Sequence, residues 1–189
     1  MKQVLQLALL ASLAAAPAAA QEQRASGDPL TAALKRQFDG VARNVKEAAE
    51  KMPEDKFTYQ ATKDVRTFGG FVGHVANAHY MFCSRAKGEQ NPNKEDFEKV
   101  TGKAALVKAI TASNEYCASA FSSANDKWML ETIAQGQAPN QMQVPRAAIL
   151  ASNTSHSNEH YGNLVTYMRL NGLVPPSTER AQAPRRPTQ

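Results

Sequence analysis

Two histidines, His156 and His160, stand four residues apart, and their type and spacing are the chain's clearest chemical feature. On a helix this spacing stacks both imidazoles on one face, one turn apart. A helix presents two nitrogen ligands to one metal ion in this way. A third protein ligand has to come from elsewhere, and the only other histidines are His74 and His79. Three protein nitrogens leave at least one coordination position open to water or substrate, the arrangement of catalytic metal sites. Zn²⁺ suits three imidazoles best, and Ni²⁺ and Fe²⁺ also accept them.

The string His156-Ser157-Asn158-Glu159-His160 also matches the H-x-x-E-H pattern of inverted zinc peptidases, with Glu159 as general base. That chemistry needs a further ligand downstream. After His160 the only acid is Glu179, beyond Pro175-Pro176, so the peptidase reading lacks its last ligand. Glu159 is then an outer partner of His156 or a solvated side chain. Reading the two histidines as polar core residues would demand two separate sets of buried hydrogen-bond partners.

The stretch that carries the pair reads as a helix from about Val144-Pro145 to Asn171-Gly172, closed by Pro175-Pro176. At about 100° per residue, Ile149, His156, His160, Asn163 and Tyr167 fall on one inward stripe. The helix that must supply the third ligand covers about Thr67 to Lys87, with Gly88 as its stop. His74 and His79 flank its apolar stripe of Phe68, Phe71, Val75, Ala78 and Phe82, about 140° apart, so both cannot face one ion. Gly69, Gly70 and Gly73 are costly inside a helix and point to the close approach of another helix or a ligand near His74. They favour His74 only mildly, and the helix geometry leaves the choice open.

Two more helices complete the pattern. Asp28-Pro29 starts the first, which carries apolar residues from Leu30 to Ala49 at helical spacing and ends at Lys51 before Met52-Pro53. Thr101 caps another, which runs to about Ala124 with Leu106, Ile110, Cys117 and Phe121 inward. Residues 56–66 and 89–101 read as connections, and 125–143 as a short apolar piece, Trp128-Met129-Leu130, followed by a polar loop. With no convincing strand, the fold class is all-α, a four-helix bundle over 28–176. The Pro- and Arg-rich residues 177–189 read as a disordered tail.

Residues 1–20 have the form of a signal peptide. Lys2 precedes an apolar run that ends Ala18-Ala19-Ala20, with cleavage expected after Ala20 and a polar leader over 21–27. The run is too short to serve as a stable membrane anchor. The expected product is exported, to the periplasm. Cleavage removes Lys2 alone among charged residues and leaves 21 basic against 17 acidic side chains. The bases are dispersed, with no basic stripe interleaved with aromatics, so a nucleic-acid partner is not expected. In an oxidising compartment Cys83 and Cys117 can form a disulfide. A tight antiparallel hairpin of the second and third helices, however, would set them about 15 Å apart in height. The bridge and a pair of buried thiols both remain open.

The segments GGFVGHVANAHYMFCSRAKGE (69–89) and HSNEHYGNLVTYMRLNGLVPP (156–176) resemble the two signature regions of the DinB-like superfamily. The resemblance spans about Leu30 to Pro176. It implies a four-helix bundle, often a homodimer, that binds a divalent metal through one histidine of the second helix and two of the fourth. By position these are His74, His156 and His160, while His79 falls where the pattern requires no histidine. Some relatives are thiol-dependent transferases or isomerases. The resulting expectation is an exported metal-dependent enzyme, of hydrolase or thiol-dependent transferase type, acting on a small molecule. Asn77, Arg85, Glu159, Asn163 and Tyr167 are the candidates to line its site. The alternative is a non-catalytic metal-binding bundle in which the ion pins the second helix to the fourth.

Overall fold

The structure, a computed structural model, describes residues 27–184. The expected signal peptide (1–20), nearly all of the polar leader (21–27) and the end of the tail lie outside the described residues.

The first helix, α1 (Pro29–Lys51), and the short α4 (Asp126–Leu130) begin against each other. Asp28 does not cap its own helix, because its Oδ1 accepts the Asp126 amide at 2.8 Å. The Asp126 carboxylate in turn accepts the amides of Leu30 and Thr31, at 3.1 and 2.8 Å. Each aspartate thus satisfies donors that the other helix start leaves free. Helix α2 (Phe68–Lys87) is capped by Thr67 Oγ1, which accepts the Gly70 amide, and it ends at Gly88 in the left-handed conformation.

Helix α3 (Lys103–Ser122) starts one residue later than expected, at a Gly102 N-cap rather than Thr101. Its first amide, Lys103 N, is accepted by the Glu54 carboxylate. After α4, the expected polar loop contains an antiparallel strand pair, β1 (Thr132–Gln135) and β2 (Met142–Pro145), with Ile133 opposite Val144. This corrects the strand-free reading. Each strand is four residues long, too short for an alternating pattern to stand out from loop sequence. Helix α5 (Arg146–Leu170) follows directly and closes at Asn171-Gly172, where Leu173 N donates to Met168 O.

Helices α1, α2, α3 and α5 form the bundle. Their direction departs from a simple up-and-down chain. Gly69 packs on Leu106, His79 lies beside Ser113, and Cys83 meets Cys117, so α2 and α3 run parallel. The 88–102 segment is therefore a crossover that returns along the full length of α2. Helix α5 is antiparallel to α2, with Phe71 on Tyr167 near one end and Cys83 beside Asn153 near the other.

The parallel pair reverses the height argument against a bridge. Cys83 and Cys117 form a disulfide with a Cα–Cα distance of 5.2 Å, because the second and third helices are not a hairpin. The glycines of α2 also find their reason here. A Cβ at Gly73 would lie 2.2 Å from the Phe97 carbonyl oxygen, so there the close neighbour is the crossover backbone, while at Gly69 it is Leu106 of the neighbouring α3, at 3.0 Å.

Two apolar clusters fill the bundle. One joins Val45, Phe68, Val75, Ile110, Leu164 and Met168, and the other joins Phe38, Cys83, Cys117, Phe121, Met129 and Leu150. A last helix, α6 (Pro176–Gln182), replaces the start of the expected disordered tail. Its Arg180 pairs with Glu47 and Asn44 and its Glu179 with Lys51, while Ser177 bonds Tyr161. These partners on α1 and α5 are remote in sequence, so composition alone did not reveal the order. Among the described residues no helix is long and apolar enough to cross a membrane.

Candidate metal centre

His74 comes from the exposed edge of α2, one turn beyond Phe71, and His156 and His160 come from the facing edge of α5. The antiparallel packing of α2 on α5 sets the three rings at one level. His74 Nε2 lies 3.0 Å from His156 Nε2, and His160 Nε2 lies 3.1 Å from it. One nitrogen of each ring falls within 4.8 Å of the other two. Two nitrogens bound to one ion at about 2.0–2.1 Å and at a tetrahedral angle stand roughly 3.3 Å apart, close to this spacing.

Hydrogen bonding alone does not account for the cluster. An imidazole nitrogen has a single in-plane site, either a proton or a lone pair. His156 Nε2 faces two nitrogens and cannot donate to one while accepting from the other. Three lone pairs directed at a cation satisfy all three rings at once. The donor set therefore fits a divalent metal.

The outer faces of the rings support the same assignment. Glu98 Oε1 lies 2.6 Å from His74 Nδ1, and its Oε2 accepts Arg66 Nε at 2.7 Å. Burial works against the Glu98 charge, but the bonds from Arg66 and His74 prevail and hold its carboxyl below its ordinary range. The Asn163 amide stands 3.3 Å from His160 Nδ1 and can turn its oxygen to an N–H there. His156 Nδ1 is buried without a partner. Burial, reinforced by the neighbouring rings His156 and His74, pushes His160 down to about 4. His156 is lowered for the same reasons, burial first and His74 second. Both rings favour the neutral form that a metal ligand requires.

The triad is reached from two sides. A cavity of about 580 Å³ opens onto His74 and His156, with Asn77, Met81, Asn93 and Glu98 in its wall. A second, of about 650 Å³, opens onto His160, with Lys63, Arg66, Phe71, Glu159 and Asn163.

A sequence model of the DinB family matches residues 28–186. The chain belongs to the DinB family. Solved DinB-like proteins share its fold. One from Bacillus cereus ATCC 10987 superposes with a TM-score of 0.63 at 16% identity, covering 76% of this chain and 93% of its own. A second, YjoA of Bacillus subtilis, has a TM-score of 0.59 at 20% identity, covering 74% and 92%. No curated protein matches the chain.

Within this DinB-family bundle, the other residues expected at the site divide clearly. Asn77 lines the cavity beside His74 and His156 but works mainly on the crossover, accepting Phe97 N at 3.1 Å and donating to Asp96 at 2.9 Å. Glu159 and Asn163 line the second cavity beside His160. Arg85 lies three turns beyond His74 and lines neither cavity. Tyr167 is buried and donates to the Arg66 carbonyl at 2.7 Å, holding the connection to α2 rather than lining the site.

His79 is fully buried, not a member of the triad. Its Nε2 bonds Ser157 Oγ at 3.0 Å, and burial above all, with the nearby His156, pushes it down to about 3. It is a satisfied core histidine. Glu98 and Arg66 escaped the sequence reading, because each sits in a connection without periodicity and meets His74 only through the crossover.

Proposed function

We propose that this chain is an exported metal-dependent enzyme, of hydrolase or thiol-dependent transferase type, that binds a divalent ion, Zn²⁺ by preference, through His74, His156 and His160. The observation that carries this reading is the convergence of three Nε2 atoms that cannot satisfy one another by hydrogen bonds. When bound, the ion would supply Lewis acidity at the position the three rings leave open.

The residues around it suit a reaction on a small molecule. His74, His156 and His160 would hold the ion, and cavities open onto the three rings from two sides. Glu98 contacts the outer nitrogen of His74, and Met81 and Phe71 each add an apolar part to one of the two walls. Lys63, Arg66 and Glu159 offer charged groups to an approaching substrate. A purely structural role is disfavoured by the packing. Phe71, Val75, Leu164 and Met168 already join α2 to α5 in a shared apolar cluster, so the ion is not needed to pin them. Export is supported by the Cys83–Cys117 bridge, since such bonds persist in oxidising compartments.

Metal-loaded and chelated protein, compared on activated esters and amides and on thiols offered small electrophiles, tests this reading. Turnover that vanishes with the ion and returns on reloading, at constant helicity, is the expected result. A loaded protein inert on every panel member, whose helices melt on chelation, would establish the structural alternative instead.

A further inference from the structure

We propose that Glu98 is a positioning residue for the metal site, holding His74 as an Nε2 ligand, and that Arg66 positions Glu98 in turn. This rests on the three-histidine reading above. The three residues come from three segments: His74 from α2, Glu98 from the short 3₁₀ turn Phe97–Lys99 in the crossover, and Arg66 from the connection before α2. The Glu98 carboxylate uses one oxygen on each neighbour, Oε1 on His74 Nδ1 at 2.6 Å and Oε2 on Arg66 Nε at 2.7 Å. A neutral histidine that binds metal through Nε2 must carry its proton on Nδ1, and a carboxylate there fixes both tautomer and ring angle.

The crossover is built to deliver this contact. The missing Cβ of Gly73 admits the backbone of Phe97, whose carbonyl oxygen would otherwise be 2.2 Å from it. One helical turn on, Asn77 accepts the Phe97 amide and donates to Asp96, and Asp96 Oδ1 accepts the Glu98 amide at 3.2 Å. The turn is therefore seated on α2 by backbone contacts on the residue next to His74. Arg66 is anchored independently, since its carbonyl accepts Tyr167 Oη from α5, the helix that carries the other two ligands. The contacts close a circuit from α2 through the crossover and the connection before α2 to α5. Glu98 also stands in the wall of one cavity and Arg66 in that of the other, so the pair lies between the two approaches to the triad.

The test measures Zn²⁺ affinity by chelator competition and the His74 Nδ1–H resonance of the Zn²⁺-loaded protein by NMR. The proteins compared are wild type, Glu98→Gln, Arg66→Gln and, as a control, Lys99→Ala, an exposed neighbour on the same turn. Glu98 is about one-third exposed, so its amide variant keeps the fold. Glu98→Gln is expected to weaken Zn²⁺ binding about ten- to a hundredfold and to move the His74 resonance. Arg66→Gln moves both in the same direction by less, and Lys99→Ala moves neither. Wild-type affinity with an unmoved His74 resonance in Glu98→Gln would overturn the proposal, and an Arg66→Gln protein indistinguishable from wild type would overturn its second half. A wild-type chain that binds no Zn²⁺ would instead overturn the three-histidine reading itself.

Discussion

His74 Nε2 on α2 and His156 Nε2 on α5 lie 3.0 Å apart, although 82 residues separate them in sequence. Antiparallel packing brings them together, and apolar contacts between the same two helices hold them there without any ion. Chelation is therefore expected to leave the far-ultraviolet circular dichroism spectrum unchanged and to lower the melting temperature only by the mass-action contribution of the lost ligand. Collapse of the helical signal in chelator would show that the ion holds the bundle together.

Proton release on metal binding follows from the depressed pKa values. Burial and neighbouring rings hold His160 at about 4, so at pH 6 this ring is already neutral in the metal-free protein, and burial with the neighbouring His74 lowers His156 in the same direction. Metal binding at pH 6 then displaces fewer protons than binding to three ordinary histidines, whose pKa is about 6.5. Calorimetry in buffers of differing ionisation enthalpy counts them. A release matching three unperturbed imidazoles would contradict the account.

His79 ties stability to acid. Its pKa is about 3 when folded, lowered mainly by burial, against 6.5 in the unfolded chain. Between these values the unfolded chain binds the proton and the folded one does not, so stability falls as pH drops from 6.5 toward 3. The slope approaches about 1.4 kcal/mol per pH unit. Above pH 6.5 the term is flat. His79→Gln retains a hydrogen-bonding group toward Ser157 but cannot titrate. Denaturant titrations of metal-free protein should show the wild type losing stability faster than the variant from pH 6 to 4. Parallel profiles would mean that His79 is not buried neutral.

The disulfide stabilises the fold without making the site. Cys83 and Cys117 are 34 residues apart in sequence, and a loop of that size contributes about 3–4 kcal/mol on the chain-entropy model. The Cys83→Ala/Cys117→Ala protein should therefore melt roughly 10 °C lower. It should still bind its ion, because the ligands sit on α2 and α5 while the bridge joins α2 to α3. Loss of metal binding in a variant that remains folded would tie the bridge to the site.

What sequence periodicity could reveal here, and what it could not, follows from the range of the interactions. Helix bounds such as Pro29–Lys51 and Phe68–Lys87 depend on caps and stripes within one segment, and the expected ends agree closely with those observed. The i, i+4 pair His156 and His160 is equally local. Whether His74 or His79 completes the site depends on how α2 is rotated against α5, which its own stripe left open and the family resemblance supplied. The parallel run of α2 and α3 is set by the crossover, whose seat on Gly73 is a backbone contact with no sequence period. The bridge stayed open and Glu98 went unnoticed because of that one segment, and Arg66 went unnoticed because it meets the site only through Glu98. The helix Pro176–Gln182 was hidden for a similar reason, since its order comes from partners on α1 and α5.

The most direct test of the central claim is the metal content of the purified protein and of four single variants, His74→Ala, His156→Ala, His160→Ala and His79→Gln. The account predicts one divalent ion per chain in the wild type and in His79→Gln, with affinity in each of the other three reduced by at least about a hundredfold, beyond the usual cost of losing an outer partner. Full metal retention in His74→Ala, or its loss in a folded His79→Gln protein, would contradict it.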